Sequence, residues 1–494
     1  MLTHVLFGTI FDLNDSHKPT TYRGLAMLSF FQSILQGPRQ GMGRSLVAAA
    51  LLGAAWTSSS ALPSHAQELT VTVEDLVGSA VSLSNRTYPE IEDAIKRFRN
   101  NDAKGAREYL ELAKQKYPKL PPTDVTMAKL FFAARNTAAA HQFLEKAAVD
   151  FPADPEAYLL VADRAFAENR TIEADALFEK AAEIVSKFDD NQKRRQNFDI
   201  RVLAGKSAVL ERRRQWEEAI DLLRQWVDID PDSPTAHQRL GVTLFRTGKA
   251  AEAFEEFKAA RKVDPKTAHP YVLLGQLFTQ EGNVDKARTA YQQAYKEDKD
   301  DDSTARAYAE WLLRQNDLDA AQKVASAMRQ KSPDNVTALL LDGVISRMQG
   351  NVAAAEEAFM KVLSLEPSNV LATDFLALIL ADSDKVADQE KALSYAQINA
   401  QRFPNQTKAS VTLAWVLYRL NRPADGGQVL QRALKMGAPN ADAGYLIARI
   451  LLQQNQKDEA RKILDSVLQQ IGDGMMIYRN DAEKLLAELG PAAE

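Results

Sequence analysis

A fixed step of 34 residues constrains this chain more than any other feature. Pro231, Pro265, Pro333 and Pro367 fall on one 34-residue ruler, with Lys299 at the remaining mark. The neighbours move with the marks. Gly241, Ala253, Phe257 and Ala260 precede Pro265, and Gly275, Ala287, Tyr291 and Ala294 precede Lys299. Ala309, Ala321, Ala325 and Met328 precede Pro333, and Gly343, Ala355, Phe359 and Val362 precede Pro367. Leu240 and Leu244 flank Gly241 at helical spacing. Such a segment predicts two short helices joined by a Gly-centred turn. Small residues such as Gly241 and Ala253 let the two helices approach closely. A bulky Phe257 or Tyr291 fills the gap between neighbouring hairpins, and the closing Pro ends the second helix. One hairpin cannot bury its apolar face, so the pattern predicts stacking.

A 34-residue step with a small–aromatic–small pattern resembles the tetratricopeptide repeat (TPR) family, a helix–turn–helix unit. The resemblance implies an all-α fold: an α-solenoid, a right-handed superhelix, of about eleven units with a C-terminal capping helix. It covers residues 87–472. The first three units run Thr87–Leu120, Pro121–Asp154 and Pro155–Ser186. An insertion at 187–199 follows, expected to lengthen one helix or to form a loop, and the fourth unit is Ile200–Ser233. Units five to eight fill Pro234–Asn369, the ninth has a longer polar turn at Asp382–Asp388, and Thr407–Asn440 and Ala441–Gly472 complete the array. Within 473–494, Ala482, Leu485, Leu486 and Leu489 form one apolar stripe, the pattern of a polar-faced end helix.

The first 66 residues depart from the repeat. Met42-Gly-Arg44, the apolar run Leu46–Trp56 and Ser64-His65-Ala66 read as a secretory signal cleaved after Ala66. That run is shorter than the roughly 20 residues a bilayer-spanning helix needs. The alternative is an uncleaved membrane-associated helix. Residues 1–41 fit poorly ahead of a signal, which places the start at Met42 or Met27, and 67–86 read as a linker. Removing 1–66 takes away four basic and two acidic residues, so the net charge moves from −5 to −7. A chain this acidic does not suggest nucleic-acid binding. It has no cysteine, which excludes disulfides, thiolate metal sites and a catalytic Cys.

Nothing in the sequence points to a reaction or a cofactor. His141, His237 and His269 lie in different repeats and make no metal-binding spacing; His237 is expected to pack. Asp425-Gly426-Gly427 reads as a turn, and the basic stretches Arg212–Arg214 and Lys193–Arg195 as solvated faces or docks for an acidic partner. Asn85, Asn169, Asn335 and Asn405 head Asn-X-Thr sequons.

By the resemblance, one helix of each hairpin lines a concave groove that binds peptides or partner helices. Carried over, Phe132, Phe166, Arg212, Arg239, Phe245, Arg246, Gln276, Trp415, Tyr418 and Arg419 face that groove. Trp415, Tyr418 and Arg419 form one i, i+3, i+4 cluster of residue types that anchor interfaces. Packing between hairpins is the alternative for Phe132 and Phe166. The Lys/Asn clamp with which some family members hold a peptide C-terminus is absent. The expected function is a non-enzymatic protein–protein interaction scaffold of the cell envelope, exported to a bacterial periplasm, with protein or peptide partners. No nucleic acid or small-molecule substrate is expected. The alternatives are an accessory subunit of polysaccharide or protein export, or a cytoplasmic TPR adaptor if the signal is not used.

Overall fold

The computed structural model describes residues 71–78, 88–470 and 475–490. The expected signal, its start at Met42 and its cleavage site after Ala66 lie outside them, as do Asn85 and most of the linker. The regular elements among the described residues are 24 helices. The chain divides at Pro270 and Tyr271 into two units.

In the first unit a short helix, α1 (Val73–Val77), precedes five hairpins. They are α2 (Pro89–Arg99) with α3 (Ala103–Lys116), α4 (Thr123–Ala133) with α5 (Thr137–Asp150), and α6 (Glu156–Ala167) with α7 (Thr171–Ser186). Then come α8 (Gln192–Arg212) with α9 (Trp216–Ile229), and α10 (Pro234–Arg246) with α11 (Ala250–Val263). The second unit has six: α12 (Pro270–Gln280) with α13 (Val284–Glu297), α14 (Asp302–Arg314) with α15 (Leu318–Lys331), and α16 (Val336–Met348) with α17 (Val352–Leu365). It continues with α18 (Val370–Ala381) and α19 (Val386–Arg402), α20 (Thr407–Arg419) and α21 (Pro423–Met436), and α22 (Ala441–Gln453) and α23 (Lys457–Gln470). A last helix, α24 (Arg479–Leu489), follows. Each unit is therefore an α-solenoid segment of paired helices, as the 34-residue step predicts.

The turn inside each hairpin repeats in detail. Asn101, Arg135, Asn169, Arg214, Gly248, Gly282, Asn316, Gly350, Asn421 and Asn455 all have φ between 56° and 81°, the left-handed region. Gly and Asn adopt it readily, and it ends one helix within a single residue. The next residue often starts the second helix by capping it. Asp102, Asn136, Asn283, Asp317 and Asn351 each accept a backbone N–H with the side chain. Hairpin nine has the longer turn instead and shows no positive φ there.

The cores are local. One cluster joins Leu76, Ala94, Phe98 and Leu110 to Met127 and Leu130, the next joins Ala140 and Leu144 to Ala157, and a third joins Phe178 and Val185 to Phe198 and Val209. Each thus combines a hairpin with the first helix of the following one, the nearest-neighbour arrangement of a repeat array. Each buried Leu or Phe contributes about 1.5–3 kcal/mol. The aromatic of the repeat fills a three-way junction. A Cβ on Gly343 would lie 2.5 Å from Phe359, and Phe359 stacks on Phe375 of the next hairpin at 4.8 Å. Tyr291 meets Gly275 and Trp311 in the same way. So the aromatic sits against its own hairpin's small residue as well as between hairpins.

Three places depart from expectation. Within the stretch read as linker, Val73–Val77 is helical, with Leu76 and Val77 buried and the Leu76 carbonyl accepting from Lys129 Nζ at 2.8 Å. The insertion lengthens α8 at its start, one of its two expected outcomes, but its Arg194 departs from the solvated face expected of it: Phe188 and Phe198 meet edge to face at 5.3 Å, and Arg194 reaches across both rings. Arg194 is only 5% exposed and pairs with Asp154 and Glu156, each at 2.9 Å, so it is no solvated-face residue. Asp425-Gly426-Gly427 is not a turn but the opening of α21, because a Cβ-less Gly426 admits the Tyr418 ring.

Candidate functional site

In the second unit, the first helices of hairpins ten and eleven (α20, α22) and α24 line an open groove of about 380 Å³. Trp415 and Arg419 come from α20, Tyr445, Arg449 and Gln453 from α22, and Asp481, Lys484 and Glu488 from α24. Arg449 is its central side chain. It stands one repeat length beyond Trp415 in the sequence, so the stacked helices place its guanidinium over the indole, 4.0 Å from the ring. Its two Nη atoms form a bidentate pair with Asp382, at 2.8 and 3.0 Å. Burial opposes its charge, but Asp382 outweighs that and holds it above the usual arginine value. Arg419 lies 5.9 Å from the same indole and donates Nε–H to the Ala381 carbonyl at 2.9 Å. Burial pushes the Tyr445 phenol up to about 12.

The expected trio separates. Trp415 and Arg419 line the groove, though Trp415 is only 2% exposed and offers little more than a ring edge. Tyr418 turns away: its ring packs over Gly426 and its hydroxyl accepts from Gln454 at 2.5 Å. In the first unit, Arg212 stacks 3.6 Å above Phe166 and donates to the Phe166 carbonyl at 3.0 Å. Arg239 ties α10 to α8 through the Ala204 carbonyl (3.0 Å), Ser207 (2.9 Å) and Glu211 (2.8 Å). Arg213 pairs with Asp175 at 2.6 Å. Phe132 is half-buried and meets His141 edge to face at 5.9 Å; Phe245 is buried; Arg246 and Gln276 are half-buried. His237 packs as expected, with Nδ1 2.6 Å from Glu256 and Nε2 3.0 Å from the Pro231 carbonyl.

Several of these arginines therefore act first as struts between neighbouring first helices. Arg212 and Arg419 reach carbonyls at helix C-terminal ends, where the backbone partial charge is negative, and Arg239 reaches one inside α8. A strut of this kind fixes a flat cationic guanidinium at the groove surface, pre-positioned for a partner. Reading the sequence residue by residue missed Tyr445, Arg449 and Asp382. The one available signal was the 34-residue spacing of Trp415 and Arg449. Asn335, one of the sequons, uses both ends of its amide: Oδ1 caps α16 through Ala338 N–H at 3.0 Å, and Nδ2 donates to Asp302 at 2.7 Å.

Residues 262–373 match the family described as the cytochrome c-type biogenesis protein H TPR domain, and residues 210–277 and 423–474 match the tetratricopeptide repeat. Cellulose synthase operon protein C of Pseudomonas fluorescens is 23% identical over 270 residues, 51% of this chain and 21% of that protein. A TPR repeat-containing protein of Dictyostelium discoideum is 28% identical over 134 residues, 26% of this chain and 46% of that protein. The chain thus spans less than half the length of either relative. A solved tetratricopeptide repeat protein from Parabacteroides merdae overlaps with a TM-score of 0.38 at 17% identity, covering 52% of this chain and 99% of that one. So loose an overlap adds nothing to what the hairpins show directly.

Proposed function

This chain belongs to the tetratricopeptide-repeat family, and from that premise we propose that it is a scaffold of the cell envelope that binds a partner polypeptide along its first-helix grooves. It is a non-enzymatic protein-interaction fold. The observation that carries the choice of site is the Trp415–Arg449–Tyr445 group, an aromatic–arginine stack held by Asp382 at the edge of an open groove. Residues of these types, fixed and partly desolvated, supply most of the binding energy in protein interfaces. An open groove with Asp481, Lys484 and Glu488 on its rim suits a peptide or helix better than an enclosed small molecule.

The test is a photo-crosslinking residue at Gln453 in the full chain. A partner captured there should be lost when the exposed rim is reversed by Lys484→Glu and Glu488→Lys. Capture that survives the reversal, or none from any first-helix position, would remove the proposed site. The envelope address rests on the signal-like sequence ending at Ala66. Sequencing of the native N-terminus should find Gln67; an intact N-terminus in a cytosolic fraction would favour the adaptor alternative. Among the described residues no helix is long and apolar enough to cross a membrane. A narrower role, as accessory subunit of polysaccharide or protein export, draws support from the likeness to cellulose synthase operon protein C.

A further inference from the structure

The segment that ends the chain is more than an end plate. Arg461 of α23 does hold the Leu489 and Gly490 carbonyls, at 2.6 and 2.9 Å, as a cap requires. The residues just before α24, however, lie across the first helices. Asp442 on α22 accepts the backbone N–H groups of Ile477 and Tyr478, at 2.9 and 3.2 Å. The Tyr478 ring stacks on Tyr445, with centroids 5.3 Å apart, and its other neighbour is Arg347, 4.6 Å from the ring. Arg347 also pairs with Asp481 at 2.8 Å, and Asn480 donates to the Met348 carbonyl at 3.0 Å.

Arg347 and Met348 belong to hairpin eight, Asp442 and Tyr445 to hairpin eleven. Neighbouring helices sit about 8–10 Å apart, so three steps along a flat row would separate those residues by roughly 25–30 Å. Both nevertheless touch one tyrosine ring. The first-helix face of these four hairpins is therefore strongly concave, and residues 476–481 fill it. Met476, Ile477 and Tyr478 are buried, at 2%, 6% and 3% exposure. The contacts are those of a bound peptide: two backbone N–H groups on a carboxylate, an aromatic in a slot, and a polar pair at a helix start.

The occupant is also imperfect. The Tyr478 hydroxyl is buried and finds no hydrogen-bond partner among the described residues. An unmet polar group of this kind costs about 1–3 kcal/mol. α24 buries only Ala482, and 11 residues are too few to hold a helix in water without a surface to rest on.

We propose that residues 475–490 occupy in cis the peptide site of hairpins eight to eleven, and that a partner protein binds there by displacing them. The partner segment shares their chemistry: two apolar residues and an aromatic that turn into a helix opened by Asn or Asp. The proposal rests on the scaffold reading but concerns the surface beneath 475–490: the groove keeps α24 as one wall, whereas this site opens when α24 leaves. An occupant already in place lowers apparent affinity by the fraction of time it is bound.

The probe is a fluorescent peptide of residues 475–490 carrying Tyr478→Phe, titrated into the full chain. Weakening the cis segment with Asn480→Ala and Asp481→Ala removes one hydrogen bond and one ion pair. It should tighten probe binding about tenfold, the equivalent of about 1.4 kcal/mol. Adding Arg347→Ala should abolish the gain. In the unmodified chain, hydrogen exchange at 477–489 should be faster than in α20. Equal protection of the two, or probe binding that the cis substitutions leave unchanged, would overturn displacement. So would a dimer formed by exchange of the segment between two copies. If Gln453 still captures a partner in those cases, the scaffold reading survives and only displacement fails.

Discussion

Two adjacent glycines allow a test of the hairpin packing that cancels most other effects. Gly426 and Gly427 both lie in the first turns of α21, so replacing either by Ala brings a similar gain in helix propensity, up to about 1 kcal/mol. Their surroundings differ. A Cβ on Gly426 would stand 2.7 Å from Tyr418 Cδ2, 2.9 Å from Cε2 and 3.1 Å from the Ala414 carbonyl. Carbon atoms pack at about 3.5–4.0 Å, so the ring would have to retreat by close to 1 Å. It has little room: Tyr418 is 8% exposed and its hydroxyl is tied to Gln454 of the next hairpin. Overpacking of this kind costs about 1–3 kcal/mol. At Gly427 the nearest atom is the Tyr418 hydroxyl at 3.5 Å, an ordinary contact. Gly426→Ala should therefore destabilise by up to about 2 kcal/mol, Gly427→Ala should stabilise by up to about 1 kcal/mol, and the two should differ by about 1–3 kcal/mol. Urea unfolding of the two variants, compared at equal m-value, reads the difference. A Gly426→Ala variant as stable as Gly427→Ala would refute the close approach of α20 and α21 at Tyr418.

Other outcomes follow from the same geometry. Burial pushes Glu156 up, but Lys129 and Arg194 outweigh it and hold the carboxyl at about 2, against 4.5 ordinarily. A depressed carboxyl stabilises the fold fully above its unfolded value. That contribution, on the order of 3 kcal/mol, is lost as pH falls from 4.5 toward 2. Asp154 runs the other way, because burial raises it despite Arg194, so protonation relieves a cost. Glu156→Gln should destabilise the first unit at neutral pH and narrow its gap from the parent below pH 4.5; a constant gap in melting temperature would contradict the pairing. Arg214 has φ 61° where every other such turn but that of Arg135 places Gly or Asn, so Arg214→Gly should gain about 0.5–1 kcal/mol, seen as a higher melting temperature. Ala253 is fully buried, and Ala253→Arg should cost at least about 3 kcal/mol; an unchanged melting curve would disprove its place between the helices.

The hairpins were legible because their chemistry is periodic. Small residues at Gly241 and Ala253, aromatics at Phe257 and Tyr291, and the closing prolines each do one physical job at a fixed place in every repeat. The turn signal was legible too, though its Asn members had to be aligned with the glycines for the pattern to appear. Side-chain direction was less legible. The i, i+3, i+4 spacing of Trp415, Tyr418 and Arg419 puts them on one broad face of α20. That face borders both a groove and the partner helix α21, and only the missing Cβ of Gly426 draws Tyr418 to the latter. Contacts across several repeats were not legible at all, because no local pattern reports curvature. Nothing near Arg347 indicates that it meets Tyr478.

What breaks the repeat builds the site. Residues in register are spent on stacking, since each must serve the same neighbours in every hairpin. The longer turn of hairpin nine leaves Asp382 at the end of α18, within reach of Arg449 two hairpins later, and that pair locks the guanidinium over Trp415. Asp382→Asn should accordingly keep the fold while loosening Arg449, since a neutral amide cannot compensate the buried guanidinium. The expected readout is a changed environment for Trp415 in near-ultraviolet circular dichroism, with far-ultraviolet helicity intact. If the Trp415 signal is unmoved, Asp382 does not hold the stack, and the groove owes its geometry to packing alone.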